Sequence, residues 1–186
     1  MAYDILYEFS DGEIRDQDVK FNLKKAPGMC LGISCDWAMT SLKLNGVTRR
    51  DQMNPARWAI IQSAYLINVR NIITVPAHQF RAVVKNSGLT VTNGEGKGEL
   101  FQSNSAGSVV RQLRRVNGTC VWALFGPGGS HAMGWRREPD VVEFVDPNYG
   151  HLKGDDLEEL LDFVRDQIRD NYLRSLGHAV FFNVRL

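Results

Sequence analysis

Apolar and polar positions follow two rhythms along this chain, and the rhythm changes near residue 117. Before that point a three-and-four spacing predicts helices. Ile33, Trp37, Thr40 and Leu44 mark a helix over 30–44, closed by Asn45-Gly46. Asn54 is a good N-cap, and Pro55 suits the first helical position of a second helix through Trp58, Ile61, Tyr65 and Leu66. A third, short helix is predicted over 76–85 and a fourth over 105–116, stopped by Asn117-Gly118. Between them, 89–100 holds Gly94, Gly96 and Gly98 and reads as a loop or loose hairpin.

After residue 117 the chain turns extended. A strand is predicted over 119–125, then a Gly126-Pro-Gly-Gly129 turn, then two runs, His131–Arg137 and Val141–Asp146, joined through Glu138, Pro139 and Asp140. Pro139 cannot sit inside a central strand, so the turn belongs there. A strongly amphipathic helix over 155–173 and a last strand over 178–186 complete the pattern. Helices first and antiparallel strands later predict an α+β fold. With no linker, repeat or low-complexity tract, residues 1–186 are expected to form one domain.

Composition narrows the function classes. A net charge of +1 argues against broad attraction to nucleic acid. No apolar run reaches the ~20 residues of an integral membrane segment. Asp4 and Glu8 stand where a signal peptide would carry base, so a cleavable leader is not expected. Three cysteines in no regular spacing argue against a disulfide framework. His78, His131, His151 and His178 show no paired ligand spacing, so neither metal nor other cofactor is expected.

The hairpin carries the first candidate chemistry. If Arg137 faces Asp140, His131 faces Asp146, with Cβ atoms about 4.5–5.5 Å apart. A carboxylate so placed holds an imidazole in one tautomer. That pair calls for a nucleophile. Cys120, inside an apolar strand, reads as a small buried hydrophobe. Cys35 would lie mid-helix. Cys30 falls in the first turn of its helix, where free N–H groups and the dipole favour thiolate, so it is the better candidate.

Gly28-Met-Cys30-Leu-Gly-Ile-Ser34-Cys-Asp-Trp37, then His131, then Phe144-Val-Asp146-Pro-Asn-Tyr-Gly150, together resemble the YopT/AvrPphB-type family of papain-like cysteine proteases, many of them bacterial effectors or toxins. All three blocks occur in the family's order, and Asp-Pro-Asn-Tyr-Gly is the most specific of them. The resemblance implies a papain-like fold, with N-terminal helices carrying Cys30 packed on an antiparallel sheet carrying His131 and Asp146. It implies Cys30 as nucleophile, His131 as general base and acid, and Asp146 as the orienting acid. Lys24 and Lys25 stand where papain-like enzymes carry an oxyanion amide, which leaves Asn22 and Gln17 as the nearest candidates.

The expected activity is a thiol endopeptidase acting on a protein substrate in a target cell. The chain would leave its producer by a specialised route without a signal peptide and work in the target-cell cytoplasm. A cognate inhibitor or immunity protein is a possible further partner. Two alternatives use the same scaffold: side-chain amide chemistry (deamidase, transglutaminase or amidase), and a catalytically silent binding module. His151 is expected at the surface, His178 packed or solvated and His78 on a helix face. Arg111, Arg114 and Arg115 would form a solvated basic face. Asp155, Asp156, Glu158 and Glu159 need no role beyond the helix dipole.

Overall fold

A computed structural model of the chain describes residues 3–9, 29–71, 76–92, 99–102, 106–127, 129–174 and 176–186. Its helices, in chain order, are α1 (Cys30–Leu44), α2 (Pro55–Asn71), α3 (Pro76–Asn86), α4 (Ala106–Leu113) and α5 (Leu157–Gln167). The strands are β1 (Tyr3–Tyr7), β2 (Thr90–Val91), β3 (Glu99–Gln102), β4 (Gly118–Gly126), β5 (Gly129–Glu138), β6 (Val141–Asp146), β7 (Gly150–Gly154) and β8 (His178–Arg185). They form one sheet in the order β1-β7-β6-β5-β4-β8-β2, with β3 also on the outer edge of β8. Every pairing is antiparallel. The expected α+β architecture is what the chain adopts. The loose hairpin expected over 89–100 is instead two strands that pair with different parts of β8, not with each other.

Two cores lie on the two faces of this sheet. One face packs on α1, α2 and α3 through Ile33, Trp37, Trp58, Phe80 and Val83 against Val121, Ala123, Ala132 and Val145. The other packs on α4 and α5 through Val109, Leu113, Leu160, Leu161 and Val164 against Trp122, Met133, Trp135 and Phe144. That explains why β4, Thr119-Cys-Val-Trp-Ala-Leu-Phe125, is apolar nearly throughout: both of its faces are covered.

The sequence rules for helix ends hold at α1 and α2. Asn45 takes the left-handed conformation at the end of α1 (φ 48°). The Asn54 side chain accepts from the Ala56 N–H at 3.0 Å at the start of α2. Two close approaches seat α1. A Cβ at Gly32 would lie 2.2 Å from the Trp58 carbonyl oxygen, and one at Gly134 would lie 2.5 Å from the Trp37 ring. Glycine at both places lets α1 settle onto α2 and onto β5. The buried Asp36 carboxylate adds a polar tie between α1 and α2. It accepts from the Asn54 N–H at 2.7 Å, Arg57 Nη1 at 2.6 Å and Trp58 Nε1 at 2.8 Å.

The β5–β6 hairpin departs from its expected register. Glu138 pairs with Val141, so the turn is the two residues Pro139 and Asp140, and Trp135 lies opposite Phe144. Pro139 thereby takes the first central turn position, where its fixed φ costs nothing. The shift is two residues, which preserves the faces: His131, Met133, Trp135, Val142, Phe144 and Asp146 still share one side. His131 is therefore diagonal to Asp146, not opposed to it. The late helix also differs from expectation. It begins after the cap Asp156, whose carboxylate accepts from the Glu158 and Glu159 N–H groups, and its last turn, Ile168–Tyr172, widens to a π-helix. His151 is fully buried in β7, against the expectation of a surface residue.

Candidate active site

Cys30 is the first residue of α1, with Met29 before it as N-cap. The first bond closing this helix runs from the Ile33 N–H to the Met29 carbonyl, so the earlier N–H groups are free of helix partners. The thiol of Cys30 lies beside the imidazole of His131, which draws it below the ordinary thiol value. His131 sits near the start of β5, on the face that carries Trp135, while α1 lies across the opposite face. The two meet at the end of the sheet because β5 there runs beyond its last pair with β6, Gly134–Val145.

The imidazole spans the gap to Asp146. Its Nε2 lies 2.8 Å from Asp146 Oδ1, with both side chains buried. Diagonal neighbours on paired strands are about 7–8 Å apart in the backbone, within reach of a histidine and an aspartate. Nε2 is thus taken by Asp146, which leaves Nδ1 for the thiol. The three groups named from the sequence come together, with a register between β5 and β6 that differs from the expected one.

Asp146 has further partners. Its Oδ1 accepts from the Asn148 N–H at 2.9 Å, an Asp-Pro-Asn turn folding back on its own side chain. Its Oδ2 accepts from the Tyr172 hydroxyl at 2.8 Å. The Tyr172 ring stacks on His131, with centroids 4.7 Å apart and planes 16° from parallel. Asn148 Nδ2 donates to the same hydroxyl at 3.2 Å. Tyr172 was missed by sequence reasoning. Its signal was the spacing Leu161, Val164, Ile168, Tyr172, which puts a phenol on the buried stripe of a helix, where its O–H requires a partner.

Electrostatics separates the three thiols. Burial pushes the Cys30 thiol up. The bond from His131, its positive charge and the N–H groups of Ala132 and Leu31 outweigh that and bring it below the ordinary thiol value. Cys35 and Cys120 are each driven up to about 12 by burial. For His131, burial favours the neutral ring, but the bonds to Asp146 and Cys30 and their negative charges prevail and raise it to about 10. The arrangement favours the charged forms of both groups, thiolate and imidazolium, over the neutral ones.

The remaining expectations divide. Trp37, two turns along from Cys30, is fully buried under β5, as its spacing implied. His78 is a residue of α3, and His178 stacks on Phe125. Asn22 and Gln17 lie outside the described residues. Among the described residues, no group of three His, Cys, Asp or Glu side chains is arranged to hold a metal ion. None of their helices is long and apolar enough to cross a membrane.

With that geometry in hand, the chain can be compared with known proteins. Residues 7–184 match the model of the Peptidase_C58 family, described as Yersinia/Haemophilus virulence surface antigen. No curated protein matches in sequence. Among solved structures, the Pseudomonas avirulence protein AvrPphB superposes with a TM-score of 0.68 at 18% identity, covering 89% of this chain and 94% of that one. The likeness extends the shared fold over nearly the whole of both chains. A cysteine protease-like domain of the Photorhabdus asymbiotica toxin PaTox matches at 17% identity and a TM-score of 0.40, covering 91% of this chain and 51% of that one.

Proposed function

The chain belongs to the Peptidase_C58 family, and on that premise we propose that it is a thiol endopeptidase whose Cys30, His131 and Asp146 cleave a protein of a target cell. The observation that carries the reading is the gathering of Cys30, His131 and Asp146 at one place: the imidazole lies 2.8 Å from Asp146 Oδ1 and draws the Cys30 thiol below its ordinary value. It joins groups more than a hundred residues apart in the chain at the end of one sheet. Family membership supports the peptidase chemistry, and the family's description as a virulence antigen supports a target outside the producer.

The reaction follows from the charges. The Cys30 thiolate attacks a peptide carbonyl carbon, and the carbonyl's π electrons move to oxygen. The Cys30 N–H, in the first turn of α1 ahead of its hydrogen-bond ladder, is the backbone donor for that oxyanion in this reading. His131 passes its Nδ1 proton to the leaving amine as the C–N bond breaks, leaving a thioester. A water then gives a proton to His131 and its oxygen to the acyl carbon, and the thiolate leaves. Asp146 keeps Nε2 protonated throughout and takes no proton itself. The entire chain, in this reading, is one catalytic domain.

The test is N-terminal proteomics of cells exposed to the active chain and to its Cys30→Ala form. New protein N-termini that vanish with Cys30→Ala are the expected result. Ammonia release or amide-to-acid conversion without new N-termini would replace the proposal with side-chain amide chemistry. Identical profiles for both forms would remove the enzyme.

A further inference from the structure

The triad leaves one close contact unused, the phenol of Tyr172. We propose that Tyr172 is a positioning residue of the Cys30–His131 pair: its ring, pinned by the hydroxyl's bond to Asp146, lies over one face of the imidazole and stabilises it in the charged form. This rests on the reading above.

Three observations carry it. The stacking at 4.7 Å is nearly parallel, and a cation within about 6 Å of an aromatic centroid is attracted by the ring's quadrupole. The hydroxyl donates to Asp146 Oδ2 at 2.8 Å and accepts from Asn148 Nδ2 at 3.2 Å, so the ring cannot rotate away without breaking both. Burial and the charge of Asp146 push the hydroxyl's own ionisation well up, so it remains a donor. The ring is also delivered by an irregularity: Tyr172 ends the π-helical turn Ile168–Tyr172 that follows α5. A π-turn advances the following side chain relative to an α-helix, and such turns recur at functional sites.

Among the described residues, the groups that face the imidazole are Asp146 from β6, Cys30 from α1 and Tyr172 itself. Tyr65 of α2 stands nearby, with its hydroxyl 3.2 Å from the Ser130 hydroxyl. None of these is a second cation, so the imidazolium's stability rests on two anions and one ring.

The experiment needs no substrate. Iodoacetate carries a negative charge and iodoacetamide none, so the ratio of their rates at Cys30 reports whether the neighbouring imidazole is positive. Measured by mass spectrometry from pH 5 to 11, the ratio should fall in the wild-type chain through the ionisation of His131, near pH 10. In Tyr172→Leu or Tyr172→Met, whichever keeps the wild-type far-UV spectrum, the fall should move down by about one pH unit, the size of a desolvated cation–π contact. In Tyr172→Phe, which keeps the ring but frees it from Asp146 and Asn148, the fall should move by less than about half as far. An aliphatic variant that folds and keeps the wild-type midpoint would overturn the inference. So would a Phe variant that shifts as far as the aliphatic one, because the effect would then belong to the hydroxyl. Failure of the underlying reading looks different: wild-type Cys30 would react like an ordinary thiol, with no fall in the ratio at any pH.

Discussion

β6 carries two buried carboxylates three residues apart, and each holds a histidine at 2.8 Å: Asp146 with His131, and Glu143 with His151. They point to opposite faces of the sheet. By distance and burial alone they are twins. What separates them is the rest of each neighbourhood. The far side of His131 meets the Cys30 thiol, and its carboxylate is held by neutral donors, a hydroxyl and a backbone N–H. His151 has no partner for Nδ1, and its carboxylate is neutralised by Arg136, whose Nη1 lies 3.2 Å from Glu143 Oε2 and 3.1 Å from Ser41 Oγ. Glu143 and Arg136 therefore tie β5 and β6 to α1, while Asp146 leaves its charge available to an imidazolium. A carboxylate–histidine pair is a catalytic element only when its second nitrogen faces something to activate.

The largest contrast is expected from removing each histidine's chemistry. His131→Ala or Cys30→Ala should lower cleavage of an identified substrate by about 10⁴-fold or more, the two nearly equal because such residues act as a unit. His151→Ala should leave kcat per folded molecule within about threefold while lowering Tm, since it empties space beside Trp37 and Tyr7. A large kcat loss in folded His151→Ala would erase the distinction.

Exchanging the carboxylates sharpens it. Asp146→Asn should cost about 10²–10⁴ in kcat, the effect of losing the tautomer-setting acid. Glu143→Gln should spare kcat. It strands the buried Arg136 guanidinium beside one remaining carboxylate, Glu138, and should cost about 3 kcal/mol in urea unfolding. Loss of activity in both at equal stability would mean that the pairs are coupled.

A third contrast lies among the thiols. Cys30 should react with iodoacetamide at least about 10²-fold faster at pH 7 than Cys35 or Cys120, which stay protonated up to about 12. The linked stability has two signs. Cys30, with its folded value depressed, contributes stability above the unfolded thiol value that is lost as pH falls through the folded one. His131, raised to about 10, contributes stability fully present below about 6.5 and lost as pH rises through 10. A melting profile flat across pH 8–11 would contradict the pair. The smallest effect is expected at Gly134→Ala. Its methyl meets Trp37 and should cost about 1–3 kcal/mol by overpacking, while leaving the charge state of Cys30 unchanged.

The helices and the β5–β6 hairpin were legible because they depend on local signals: the cap before α2, the αL stop after α1, Pro139 in its turn. The sequence misplaced what depends on long-range pairing. The two-residue slip in β5–β6 was invisible because it leaves every side chain on its face. His151 was read as a surface residue because Asn148-Tyr-Gly150 looks like the end of a strand, whereas it is a turn that sends β7 back along β6, pairing Val145 with His151. Tyr172 lay on the three-and-four stripe of the late helix, but that stripe does not say what its hydroxyl would meet, because the partners come from β6 and the turn after it.

The place of β8 in the sheet has a consequence for the order in which the fold can be completed. It is the last strand described, yet it lies between β4 and the β2 and β3 edge. A chain grows from its N-terminus at about 5–20 residues per second, so Cys30 is made well before the strand that carries His131. Until β8 arrives, β4 lacks its neighbour on that side, and β2 and β3 have no strand to pair with. Cys30, His131, Asp146 and Tyr172 are all made earlier, so the sheet beneath the site is completed by a strand that carries none of them.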